Sequence, residues 1–230
     1  MRVALEWGPV GARVLRERCD VLVVVDVLSF STAVSVAVER GALVWPHPGG
    51  DDAVRLAREL DGELAGQRSA AGGPSLSPAS LTHLYAGSRL VLPSPNGSAI
   101  SSSGVDGSCL VLAGCLRNAT AVARWLRGRG HVGLVPAGER WPDGSLRPAY
   151  EDLVGAGAIA DRLLTQDADV ELSPEAEAAA LAFRALRPLE LCPSGIELVE
   201  RGWAEDVRIA SEVDASDVVP VLAGGRFVAG

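Results

Sequence analysis

The chain has 230 residues and a formal net charge of −8, with 48% apolar but only 4% aromatic residues. That length suits one large α/β domain over 1–230, or two tightly packed subdomains at 1–130 and 131–230. An acidic chain with no basic stripe argues against nucleic acid, and an anionic ligand needs a metal, helix N-termini or a few arginines beside it.

In chain order the first strand expected is Val3–Glu6. Val21–Asp26 follows. Its Val21–Val25 run has no polar alternation, the pattern of a strand buried on both faces. A helix over Thr32–Arg40 comes next, then a strand at Ala42–Trp45 and a helix at Asp51–Leu60. Gly62–Thr82 is rich in Gly, Ser and Pro and reads as a long loop. A strand at Arg89–Leu92 leads into a helix at Ser98–Ser103. Cys109–Leu112 leads into Asn118–Arg127, and Val132–Pro136 into Glu151–Leu164. Ser173-Pro174-Glu175 opens a further helix through Ala185. Short helices and an edge strand near Phe227 complete the chain. Strand and helix alternate throughout, which predicts a mostly parallel β-sheet flanked by helices.

Chemistry collects after four strand ends, which a parallel sheet would gather on one rim. Asp26 ends the buried strand ahead of Ser29, Ser31 and Thr32. Helix capping accounts for the serines but not for an acid in that place. Asn96, Gly97 and Ser98 form a tight turn whose N–H groups suit phosphate oxygens. Arg117 and Asn118 follow the third strand, with Asn118 a natural cap. Glu151 and Asp152 open a helix, where acids in the first turn stabilise it through its dipole; paired carboxylates also suit Mg²⁺. An acid beside an anion site points to a metal or to a carboxylate nucleophile.

The three histidines lie in loops and leave no His-based triad. Cys19, Cys109, Cys115 and Cys192 show no zinc spacing, and reduced thiols are expected of them. Met1–Val10 carries no signal-peptide pattern and no apolar run would span a bilayer. Membrane partners are therefore not expected, and the expected location is cytoplasmic. The apolar tract Val218–Leu222 would fit a homodimer contact.

Several runs then share one pattern: VDVLSFSTAVSVAVERGA, SPNGS, AGCLRNATAVA, PAGE, YEDLVGAGAI and SGIELVERGWAEDVRIASEVDASDVVPVL. In this order they cover nearly the whole chain and together resemble the 2-phosphosulfolactate phosphatase family, known as ComB. The resemblance implies a ComB-like α/β fold peculiar to the family. It also implies Mg²⁺-dependent hydrolysis of (R)-2-phospho-3-sulfolactate to 3-sulfolactate and phosphate. A phosphatase acting on another small phosphorylated acid, or a non-catalytic anion binder, are the alternatives. By position, Asp26, Asn96, Gly97, Asn118, Glu151 and Asp152 match family motifs, and Arg68 matches an arginine of a G-E-R stretch. Three positions depart: Ser29 stands where relatives carry arginine, Pro95 where they carry threonine, and Leu76 where they carry asparagine. The site expected from this is Asp26 as the catalytic acid, with Mg²⁺ among Asp26, Glu151 and Asp152. Ser29, Ser31, Arg68, Asn96, Gly97, Ser98, Arg117 and Asn118 would hold the small anionic phosphorylated substrate.

Overall fold

The structure, a computed structural model, describes residues 1–68, 72–102 and 109–230. Its strands are β1 (Arg2–Leu5), β2 (Val21–Val25), β3 (Leu43–His47), β4 (Glu63–Leu64), β5 (Arg89–Pro93), β6 (Leu110–Gly114), β7 (His131–Pro136), β8 (Glu139–Arg140), β9 (Leu146–Arg147), β10 (Glu171–Leu172), β11 (Pro220–Ala223) and β12 (Arg226–Ala229). The helices are α1 (Gly8–Arg16), α2 (Phe30–Glu39), α3 (Asp51–Glu59), α4 (Gly97–Ser102), α5 (Ala119–Leu126), α6 (Tyr150–Gln166), α7 (Pro174–Arg184), α8 (Pro193–Glu200) and α9 (Ala204–Ala210). The end expected for the fourth helix, Ser103, lies outside the described residues.

The large sheet runs β10-β1-β7-β2-β6-β11-β12-β3-β5-β4. β2 lies inside it between β7 and β6, parallel to both. Its odd residues Val21, Val23 and Val25 enter one core, with residues of α5, α6 and α7. Leu22 and Val24 enter the other, with residues of α1, α2 and α4. A strand sandwiched this way needs apolar side chains at every position, which is what its sequence shows. α2 is buried from Phe30 to Val38 and packs on β3, β6, β11 and β12. A helix buried all round reads as continuously apolar and small, as this one does.

Three expectations change here. First, the four strand ends do not share one rim. β10, β1, β7, β2 and β6 run one way, but the antiparallel hairpin β11–β12 joins β6 to β3. Three antiparallel pairings in succession leave β3, β5 and β4 reversed with respect to β2. The turn after β5 nevertheless reaches Asp26, because α4 packs on β2 and α2. Second, the strand at Phe227 is not at an edge. Phe227 is fully buried against Phe30, with ring centroids 6.1 Å apart. Third, the tract Val218–Leu222 is not an exposed apolar surface. Val219 is buried, and Val221 is registered against Leu112 inside the sheet. The segment Gly62–Thr82 also carries structure: β4 and a 3-10 turn over Pro78–Leu81. Among the described residues, no helix is long and apolar enough to cross a membrane.

Candidate active site

Asp26 follows β2 directly and is 6% exposed. Its Oδ1 accepts the N–H of Phe30 at 3.0 Å, and its Oδ2 accepts the N–H of Gly97 at 2.9 Å. The first bond caps the start of α2, so capping does account for part of what this acid does, against the expectation from sequence. The second ties α4 to the end of β2, and here glycine is required. A Cβ on Gly97 would sit 2.3 Å from the Phe30 ring and 2.8 Å from Asp26 Oδ2. Burial raises the Asp26 carboxyl above its ordinary range; the two N–H bonds oppose this, and Glu151 adds to it.

Asp26 lines a cleft of about 250 Å³ together with Ser29, Arg68, Asn96 and Glu139. The cleft adjoins a wider groove of about 750 Å³, and the two share Arg68 and Trp203. Arg68 Nη2 bonds the Ser29 hydroxyl and donates to the Leu76 carbonyl at 3.3 Å. Its Nε lies 3.6 Å from Asp206 Oδ2, and its guanidinium lies 5.4 Å from the centroid of the Trp203 ring. Asn96 Nδ2 donates to Glu139 Oε2 at 3.0 Å.

Of the residues expected at the site, Asp26, Ser29, Arg68 and Asn96 line the cleft, and Gly97 supplies an N–H to Asp26. The others do different work. The Ser31 hydroxyl donates to the Val24 carbonyl at 2.9 Å and accepts the Asp26 N–H, so it braces the turn rather than capping α2. Ser98 Oγ donates to the Leu92 carbonyl at 2.8 Å. Arg117 pairs with Glu212 and with Glu39. Asn118 accepts from Cys115 N–H at 2.9 Å and donates to the carbonyls of Ala113 and Val218. It makes no cap bond to α5. The reason is the segment before β11, which covers this turn and bonds the Leu116 and Arg117 carbonyls.

The acids at the start of α6 also divide. Asp152 Oδ1 accepts Val27 N–H at 2.7 Å and Oδ2 accepts Gly138 N–H at 2.9 Å. It pins the loops after β2 and β7 to each other. Burial raises its carboxyl well above the usual range, with Asp26 and Glu151 adding to this. Glu151 is 1% exposed, and its Oε2 is buried without a hydrogen-bond partner.

Glu139 was not among the expected site residues. The PAGE run held it, but a solvated loop acid looks the same in sequence. Burial, then the charge on Asp26, push its carboxyl up to about 7. It holds its proton more tightly folded than unfolded. Its contribution to stability is therefore complete below the ordinary glutamate range and lost as pH rises through about 7. Glu139→Gln keeps an acceptor for Asn96 but cannot ionise. In metal-free protein it should stabilise by about 1–2 kcal/mol near pH 8, allowing for partial exposure, and change little near pH 4. Urea unfolding at the two pH values checks this; an equal change at both would remove the ionisation argument. The thiols offer no rival nucleophile, since burial pushes Cys109 up to about 11 and Cys192 up to about 12.

Residues 12–225 match the family model described as 2-phosphosulpholactate phosphatase. A probable 2-phosphosulfolactate phosphatase of Carboxydothermus hydrogenoformans is 31% identical over 218 residues, 90% of this chain and 89% of that protein. Proteins of the same name from Caldanaerobacter subterraneus and Deinococcus radiodurans are 26% and 29% identical, and each match covers more than nine-tenths of both chains. With matches of this length across the fold and its cleft, the chain belongs to the 2-phosphosulpholactate phosphatase family, whose named activity is that of a phosphoric monoester hydrolase.

Proposed function

We propose that this protein is a Mg²⁺-dependent phosphatase that hydrolyses (R)-2-phospho-3-sulfolactate to 3-sulfolactate and phosphate. The observation that carries the reading is the buried Asp26 carboxylate at the cleft, with its family's named activity beside it. Its four cysteines are free, which fits a reducing cytoplasmic location.

The residues present suit a divalent cation. Asp26, Glu139, Glu151 and Asp152 act on one another's charge, and burial holds three of them above the usual carboxylate range. Glu151 Oε2 has no partner. A cation relieves both conditions. Among the described residues no group of three acidic, His or Cys side chains forms a metal cage. Mg²⁺ does not need one, since one or two carboxylates with water and phosphate suffice. Asp26 and Glu151 are the ligands we assign. Asp26 lines the cleft and Glu151 has an unpartnered oxygen, whereas Asp152 has neither and ties the loops after β2 and β7 together. Bound there, Mg²⁺ would neutralise carboxylate and phosphoryl charge.

The chain's own groups have separate tasks. Asp26 works at the phosphorus, its position fixed by the Phe30 and Gly97 N–H groups. Glu139 can hold a proton near neutral pH and give it to the departing alkoxide. Asn96 orients that carboxyl. Arg68 and Ser29 offer donors to the anionic substrate. Phosphate release from (R)-2-phospho-3-sulfolactate tests the reading, beside a panel of other small phosphorylated acids. Activity should vanish with a chelator and return with Mg²⁺. Faster turnover of another acid would replace the substrate, and no turnover of any would leave an anion binder.

A further inference from the structure

Four arginines line the cleft: Arg68, Arg140, Arg147 and Arg201. Two are already engaged by acids. Arg68 lies against Asp206, and Arg201 pairs with Glu197 at 2.9 Å. Arg140 is exposed and donates to the Gly144 carbonyl at 3.2 Å. Arg147 differs from all three. It is half-buried, its guanidinium lies 5.7 Å from the centroid of the Trp141 ring, and its Nη2 donates to Ser194 Oγ at 3.3 Å. Ser194 is itself buried and lines the cleft. Among the described residues, no carboxylate lies within ion-pair distance of Arg147.

Its position explains why it is not simply balancing an acid. Arg147 stands opposite Glu139 across the β8–β9 ladder. The Glu139 carboxyl, however, bonds Asn96 instead. A guanidinium has five N–H donors in a fixed fork, and among the described residues only Ser194 takes one of Arg147's. Glu139 feels the Arg147 charge but makes no ion pair with it, and in a chain of net charge −8 a half-buried guanidinium with no carboxylate in contact can take an anion from outside. Asp26 is already assigned to the phosphoryl group, so the charge left for Arg147 lies elsewhere on the ligand.

This step rests on the reading that the cleft takes a small phosphomonoester. We propose that Arg147 and Ser194 form a second anion subsite, which binds a carboxylate or sulfonate on the alcohol moiety and so selects substrates with two anionic groups. Calorimetry on the full chain tests it with three phosphate-ester-free probes: 3-sulfolactate, malate and inorganic phosphate. Malate carries a carboxylate where 3-sulfolactate carries its sulfonate. Arg147→Met should weaken 3-sulfolactate, malate or both by about tenfold or more, with phosphate changed less than about threefold. A larger loss for one acid names its C3 group as the one read, and equal losses for the two acids name the carboxylate they share. Arg147→Lys should lose part of that affinity, since the charge stays and the fork goes. In turnover, Arg147→Met should raise KM for a phosphorylated diacid by a clearly larger factor than KM for p-nitrophenyl phosphate. Equal losses for all three probes, no loss for any, or no binding of either acid to the wild type would overturn the subsite. Wild-type protein that turns over no phosphomonoester would instead refute the enzymatic reading, and the binding results would still decide the subsite.

Discussion

Asp26→Asn should lower kcat for phosphate release roughly 10²–10⁴-fold, the range for a group acting on the reacting atoms. The change is small in shape but alters two things. It removes the negative charge that Mg²⁺ and the phosphorus would meet. It also replaces one acceptor by an NH₂ donor. The Phe30 and Gly97 N–H groups point at the two Asp26 oxygens, so one of them would face a donor. A buried N–H left without an acceptor costs about 1–3 kcal/mol. In a domain of this size that shifts Tm by about 2–4 °C for each kcal/mol. The expected result is thus a folded, modestly destabilised protein with almost no turnover. An acid-labile phosphoenzyme present in the wild type and missing in the variant would mark Asp26 as the nucleophile. A variant that kept most of its Mg²⁺-dependent activity would defeat any direct role for Asp26.

Asp152→Ala should act on stability before it acts on chemistry. It strips the acceptors from the buried N–H groups of Val27 and Gly138 together. Two such losses come to about 2–6 kcal/mol, less whatever repulsion from Asp26 and Glu151 is relieved. Denaturant unfolding in the presence of a chelator measures this without any metal contribution. Asp152→Asn should cost less, since one oxygen remains to accept. If Asp152 were instead a metal ligand with little structural role, the metal-free variant would be as stable as the wild type. Only its response to Mg²⁺ would differ. The same measurement on Glu151→Gln should show the opposite pattern, because Glu151 Oε2 has no bond to lose.

The β2 strand and its acid were legible because a parallel strand buried on both faces carries an uninterrupted β-branched run. The helices after it were legible from apolar periodicity and their caps. α1 was missed although Gly8, Gly11, Ala12 and Leu15 are buried at helical spacing. Two glycines and a proline in its first half mask that period. The place of β11–β12 was missed for another reason. Gly224-Gly225, both at positive φ, is a two-residue hairpin signal. A hairpin signal says nothing about which strands the pair will join. Here it enters the middle of the sheet and reverses β3 and β5.

Sequence by itself therefore determined the fold class, the buried strand and the acid at its end, since these depend on local patterning and solvent exclusion. Tertiary structure decided which of eight further residues and three acids face the cleft. Arg117 and Asn118 look as suitable as Arg68 and Asn96 in a linear reading. They are withdrawn because the chain before β11 covers their turn and uses their side chains. Glu139 and Arg147 enter because β8 and β9 fold back over Asp26's end of the sheet. A side chain's reach for a ligand depends on what else is near enough to bind it first, and that is fixed only when distant segments meet.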